Sequence, residues 1–251
     1  VLIILFAFGI HPEKVYAVGG ISNSKVIVPS TDTVPKSRIE IEPFFNYLFV
    51  DDSDNTRNYD IGGRFTYGLL DNVEIGSTFF FVTFEDSDLI NTDSTFGNIE
   101  PGIKWRILDQ EGQGFLSYSV AYEGGLTIPT SGSDEKWAFE PIGIILTKNF
   151  NDRFSMDNDI VLRIVEDELW GINSNHGLGY FITDWLQPVV EMAYTYNNID
   201  NENNEHVLNI TGGFTAPMTD FATLIVGVTK DIVSHDTEDT LAITTALTLL
   251  F

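Results

Sequence analysis

Thr240 to Phe251 reads TLAITTALTLLF, and that reading decides the fold. Leu241, Ile243, Leu247, Leu249 and Phe251 share one face of an extended chain. Thr240, Ala242, Thr244, Ala246 and Thr248 share the other, which is smaller and more polar. Side chains alternate with a period of two in a strand and about 3.6 in a helix, so this stretch is a strand.

The same alternation recurs along the chain. Ile39, Ile41, Pro43, Phe45, Tyr47 and Phe49 oppose Arg38, Glu40, Glu42, Phe44, Asn46 and Leu48. Ile99, Pro101, Ile103, Trp105 and Ile107 oppose Asn98, Glu100, Gly102, Lys104 and Arg106. About twelve such segments can be counted, an even number as a single-chain membrane barrel requires. Their connections alternate: short turns such as 69–72, 109–113 and 149–152 interleave with longer, mostly acidic loops. Aromatic residues gather near the segment ends, with Phe49, Tyr59, Trp137, Trp170 and Tyr196 by the long loops and Trp105 and Trp185 by the short turns. Paired aromatic rows are the girdles of a barrel that meets two membrane interfaces. The expected fold is therefore all-β, an antiparallel transmembrane β-barrel of about 12 strands, with short periplasmic turns and longer acidic extracellular loops.

Two local features qualify this pattern. Trp137, Phe139, Pro141 and Ile145 are assigned to the outer face, opposite Ala138, Glu140, Ile142 and Ile144, which leaves an apolar inner face on that strand. Pro43, Pro101, Pro141 and Pro188 fall inside strands. Proline lacks the ladder donor, so bulges are expected at all four.

Composition narrows the function. The net charge is −24. That excludes nucleic-acid binding, which needs a basic surface, and docking on anionic lipid through basic residues. The chain has no cysteine, hence no disulfides, thiolate metal sites or cysteine nucleophile. No apolar run is long enough for a helical span.

The chain divides into three parts. Residues 1–17 read as a signal peptide truncated at its start: VLIILFAFGI is an apolar core, and Val15-Tyr16-Ala17 fits the small-residue rule before cleavage. Residues 18–36, with Pro29 and Pro35, read as an extended periplasmic leader. Residues 37–251 form the barrel.

Several stretches together resemble a family of outer-membrane transporters named after the meta-pathway of phenol degradation. They are TVPK at Thr33 to Lys36, RFTYGLLDNVEIG at Arg64 to Gly76, GIKWRIL at Gly102 to Leu108, GLTIPT at Gly125 to Thr130 and the terminal strand. The resemblance implies a barrel of about twelve strands, bacterial outer-membrane localisation after export to the periplasm, and transport. It also implies that Leu247, Leu249 and the terminal aromatic Phe251 close the ring against the first strand and are read by the barrel-insertion machinery. No catalytic residue is carried over.

The expected site is the lumen. Arg38, Glu40, Glu42, Arg64, Glu74, Glu100, Lys104, Arg106, Glu123, Glu140, Asp157, Asp159, Arg163 and Glu191 are assigned to its wall. Rings of opposed charge filter solutes, and an acid excess favours cations. The expected function is passage of small solutes, hydrophobic or aromatic compounds included, through this charged lumen by a monomer surrounded by outer-membrane lipid. No cofactor or metal is expected; the loop carboxylates, such as Asp51, Asp54, Asp88 and Asp236, match no known metal-loop spacing. The alternatives are a non-conducting anchor barrel, favoured if residues 18–36 fill the lumen, and a lipid hydrolase. The second rests on Ser174 and His176, two apart on one strand face as in some outer-membrane phospholipases. The sequence shows no third partner for them, so a non-enzyme is expected.

Overall fold

A computed structural model describes residues 18–52, 55–86, 93–109, 118–130, 136–166, 169–199 and 203–251. The expected signal peptide, residues 1–17, and the loop residues Asp54 and Asp88 lie outside these described residues.

The strands are β1 (Ile39–Val50), β2 (Arg57–Leu70), β3 (Val73–Asp86), β4 (Asp93–Thr95), β5 (Ile99–Asp109), β6 (Ser119–Thr127), β7 (Ala138–Asn151), β8 (Phe154–Val165), β9 (Leu169–Tyr180), β10 (Gln187–Ile199), β11 (Glu205–Thr219), β12 (Ala222–His235) and β13 (Thr240–Leu250). Both β4 and β5 pair with β3, so they are one wall strand broken at residues 96–98. Each strand pairs antiparallel with its sequence neighbour, and β13 returns to pair with β1. The result is a closed barrel of twelve strands. Ile39 and Phe251 complete the seam by exchanging backbone hydrogen bonds of 3.1 and 2.8 Å.

The burial pattern is that of a water-soluble protein turned inside out. Ile41, Phe45, Ile61, Phe65 and Ile75 are exposed on the outer wall. Glu42, Asp60, Arg64 and Glu74, one residue away along the same strands, are buried inside, as is Lys104 on β5. Strand alternation alone does not say which face is wet; ring closure does. An apolar belt of this extent needs hydrocarbon around it, and every wall backbone group must be satisfied within the wall. Trp105, Trp137, Trp170 and Trp185 are exposed on that outer surface near the strand ends. Tyr59 packs 5.1 Å from Tyr47, and Tyr196 packs 5.8 Å from Trp170.

The facing expected for β7 is corrected. Its register against β8 jumps between Phe139 and Ile142. Beyond that point Ile142 and Ile144 are 55% and 45% exposed, while Ile145 is fully buried against Ala121 and Val161. One extra residue in a strand moves every later side chain to the opposite face.

The expectation of four proline bulges holds only there, at Pro141. Pro43 sits in regular register opposite Gly63, and it falls in the gap between the Ile41 and Phe44 pairings on the β13 side. Pro101 is regular opposite Ser77, and the β5–β6 ladder begins one residue later at Gly102. Pro188 is regular opposite Phe214, and the β9–β10 ladder begins at Val189. At these three the missing donor falls where one ladder stops or skips, so no residue is inserted.

Replacing Ile144 with arginine tests the bulge. On the lipid face it should lower unfolding stability in bilayers by about 2–4 kcal/mol, as read by urea titration. A loss of under about 0.5 kcal/mol would place the residue in the lumen, where charge is tolerated.

Candidate functional site: a lumen occupied by the N-terminal segment

The largest departure from expectation lies inside the barrel. Residues 18–34 do not extend away from the wall as a periplasmic leader. Val18, Ile21, Lys25, Val26, Val28, Ser30, Thr31 and Val34 are all buried within the ring. The chain leaves the lumen at the short-turn end through a tight reversal. Ser37 adopts a left-handed backbone (φ 63°) and donates its N–H to the Gly68 carbonyl at 2.8 Å, and Arg38 donates to the Pro35 carbonyl at 2.9 Å. At Gly68 a side chain would collide with the carbonyls of Val34 and Pro35, so glycine permits the exit.

Inward carboxylates explain why the segment is drawn in. Acids outnumber bases on the inner wall, and a buried charge is costly unless paired and hydrogen-bonded. Three anchors meet that demand. Glu74 and Lys104, directly opposite across β3–β5, form an ion pair of 3.1 Å with no exposure on either side chain. Glu74 also accepts the backbone N–H of Ser22 (2.7 Å), the Ser22 hydroxyl (2.8 Å) and the backbone N–H of Val34 (2.6 Å). Lys104 donates to the carbonyls of Ser22 (3.0 Å) and Ser30 (3.2 Å). Both limbs of the segment are therefore fastened to one wall pair.

The second anchor is Asp157, which pairs with Lys25 and accepts from the hydroxyls of Ser24 (2.9 Å) and Thr147 (2.6 Å). The Thr147 hydroxyl in turn accepts the N–H of Thr31 at 2.9 Å. The third is Glu191. Its carboxylate accepts backbone N–H groups of Val26 (3.0 Å), Ile27 (3.0 Å) and Val28 (3.4 Å) where the segment turns. Glycines on the wall admit the inserted backbone. Gly20, at φ 79°, lies against Gly76 and Gly102, where a Cβ would have no room. It is held by its N–H to the Thr78 hydroxyl at 2.9 Å.

The remaining residues assigned to the lumen divide by position. Arg64 lies 2.9 Å from Glu42 and 3.5 Å from Glu40, a buried triad between β1 and β2. Glu123 is fully buried with neither carboxylate oxygen hydrogen-bonded, and Asp159 nearby accepts from Asn175 at 2.8 Å. Glu100, Glu140 and Arg163 are half-buried. Arg106 sits at the short-turn end, 3.3 Å from Asp109 and 3.7 Å from Asp32, and Arg38 is exposed. Sequence reading missed Lys25, Ser22 and Ser24. The available signal was the charge mismatch: an acid-rich inner wall beside a leader carrying one lysine between residues 18 and 34.

The segment leaves a cavity at each end. Toward the long loops lies one of about 150 Å³, lined by Phe44, Leu48, Phe80, Asn209, Thr195 and the segment's Val26 and Ile27 among others. The Phe44 and Phe80 rings there meet edge to face at 5.5 Å. Toward the short turns lies one of about 370 Å³, lined by charged residues including Lys25, Asp32, Glu40, Arg153 and Asp157. Asn23 of the segment and Ile225 of the wall border both cavities.

Glu74→Ala removes the acceptor of three segment groups and strands the Lys104 charge. The loss should be about 3–5 kcal/mol in equilibrium unfolding. Arg38→Ala, at an exposed site, should change stability by under about 0.5 kcal/mol.

No family model matches the sequence, and no curated protein does. Solved structures do match. The COG4313 outer membrane channel from Pseudomonas putida F1 is 11% identical, with a TM-score of 0.71 over 88% of this chain and 98% of that one. A NanC porin is 6% identical with a TM-score of 0.59, and a KdgM porin 8% identical with a TM-score of 0.51, each covering 83% of this chain and 98% of the other. At such identities the likeness is one of fold. With the closed ring and its apolar belt, it makes this chain a bacterial outer-membrane β-barrel.

Proposed function

We propose that the protein is an outer-membrane channel for small solutes whose pathway is gated by its own N-terminal segment. The observation that carries this reading is the pair of cavities, one at each mouth, separated by residues 18–34 at Asn23 and Ile225. Polar side chains and backbone groups hold the segment beside a few apolar contacts from Val18, Ile21 and Val26, and a neutral hydrogen bond that water can replace contributes only about 1 kcal/mol net. The likeness to a COG4313 outer membrane channel and to two porins supports the transport reading. Nothing carried over from the resembled family is catalytic.

The cavities also bear on the solute. The one toward the long loops combines the Phe44 and Phe80 rings with the polar groups of Thr195 and Asn209. That lining suits a small molecule with an apolar body and a hydrogen-bonding group, hydrophobic and aromatic compounds among them. The Arg64 and Lys104 pairings neutralise part of the wall, and the remaining acids favour cations once the segment moves. The second reading is a closed anchor barrel, and the same three anchors favour it.

Conductance across a planar bilayer separates the two. The intact barrel should conduct little, and removal of residues 18–34 should raise single-channel conductance about tenfold with cation preference. The chain has no cysteine, so Ser24→Cys with Asp157→Cys gives an independent switch, the native side-chain atoms being 2.9 Å apart. Because Asp157→Cys also removes an anchor, the reduced double variant should pass more solute than the intact barrel, and oxidation should return flux to the intact level. Flux indifferent to the crosslink, with a silent truncated barrel, would leave the anchor reading.

A further inference from the structure

The outer wall carries a polar constellation that transport does not use. Ser174 and His176 stand on β9, and Asn158 stands on β8 directly opposite His176 in the register. Ser174 Oγ lies 3.2 Å from His176 Nε2, and His176 Nδ1 lies 2.9 Å from Asn158 Oδ1. The third partner that the sequence did not reveal is thus supplied by the neighbouring strand.

The hydrogen-bond pattern sets the protonation. Asn158 Nδ2 donates to the Leu146 carbonyl at 3.4 Å, which leaves its Oδ1 as acceptor. His176 therefore carries its proton on Nδ1 and turns the Nε2 lone pair to the Ser174 hydroxyl. That is the tautomer a general base needs, with an amide holding the ring as the third group of a triad does.

The surroundings define the substrate class. Ile160, Ile172, Leu178 and Met192 around the constellation are all exposed on the lipid-facing surface. Ser174 is four residues from Trp170, and His176 four from Tyr180. At about 3.4 Å per residue and a tilt of about 40°, each lies roughly 10 Å inside an aromatic row. Hydroxyl, imidazole and amide are costly in hydrocarbon, and the aliphatic residues around them would serve the wall without that cost.

We propose that Ser174, His176 and Asn158 form a serine-nucleophile site on the lipid-facing wall, acting on long-chain acyl esters dissolved in the bilayer. Ser174 Oγ attacks the ester carbonyl carbon while its proton passes to His176 Nε2. The bond from that carbon to the alcohol oxygen breaks, and the departing alcohol takes the proton, leaving the acyl group on Ser174. Water then attacks the acyl carbon, its proton going to Nε2 and on to Ser174 Oγ as the fatty acid leaves. Asn158 is a positioning residue acting through the imidazole. Tyr194 stands opposite Ser174 across β9–β10.

The test uses the full barrel folded in phosphatidylcholine vesicles. An alkyl fluorophosphonate should add covalently to Ser174, as located by peptide mass spectrometry. The rate should fall at least about 100-fold in His176→Ala. Release from 4-nitrophenyl palmitate should vanish in Ser174→Ala while the folded barrel's electrophoretic mobility stays unchanged, and it should exceed release from the acetate ester. Asn158→Leu should slow release, and Asn158→Asp should restore it to within about tenfold, a rescue that wall packing alone would not produce. No adduct on Ser174, an adduct formed as fast in His176→Ala, or an adduct without palmitate turnover would each overturn the proposal. A preference for the acetate ester would overturn the substrate class.

Discussion

Hydrocarbon offers no hydrogen bonds, and the architecture answers to that single constraint. Every wall N–H and carbonyl must find its partner in the wall, so the sheet has to close. The seam between β1 and β13, ending in the reciprocal bonds of Ile39 and Phe251, removes the last free edge. Closure forces the rest. With lipid outside, the apolar face of each strand turns outward, and charged residues such as Glu74 and Lys104 have only the lumen to occupy.

The interior then has its own requirement. A narrow ring of twelve strands brings carboxylates from several strands close together, and burial penalises each one left without a cation or donor. The N-terminal segment supplies what the wall lacks: the Lys25 ammonium for Asp157, and backbone N–H groups for Glu74 and Glu191. It also supplies apolar contacts, Val18 and Ile21 joining Ala121, Ile145 and Val161, and Val26 joining Val189, Ile225 and Ala246. The lumen is thus a small protein core built inside a membrane wall. Among the described residues, Glu123, with neither oxygen hydrogen-bonded, and Asp159, with its Oδ1 unmatched, are places where that compensation is incomplete.

Much of the wall was legible before any coordinates. Alternation in Ile99 to Ile107 and in the terminal strand placed residues on faces because the strand period is rigid. It failed at β7, where one inserted residue near Pro141 reverses the facing of Ile142, Ile144 and Ile145. A bulge is a relation between two strands, and neither strand's sequence encodes it alone. The prolines show the converse. Proline at 43, 101 and 188 announces a lost donor, but whether that produces a bulge or falls at a gap depends on where the neighbouring ladder stops.

The sequence by itself determined the strand count, the alternation and the acidic character of the inner face, since these follow from local periodicity and composition. It also placed Ser174 two residues from His176. Tertiary structure decided what those residues meet. Asn158 reaches His176 only through the β8–β9 register. Residues 18–36 read as a leader in the sequence because nothing in a short polar stretch records a charge deficit spread over distant strands. Only closure of the ring brings Glu74, Asp157 and Glu191 around one space, and their shared need for donors then decides that this segment lies inside it.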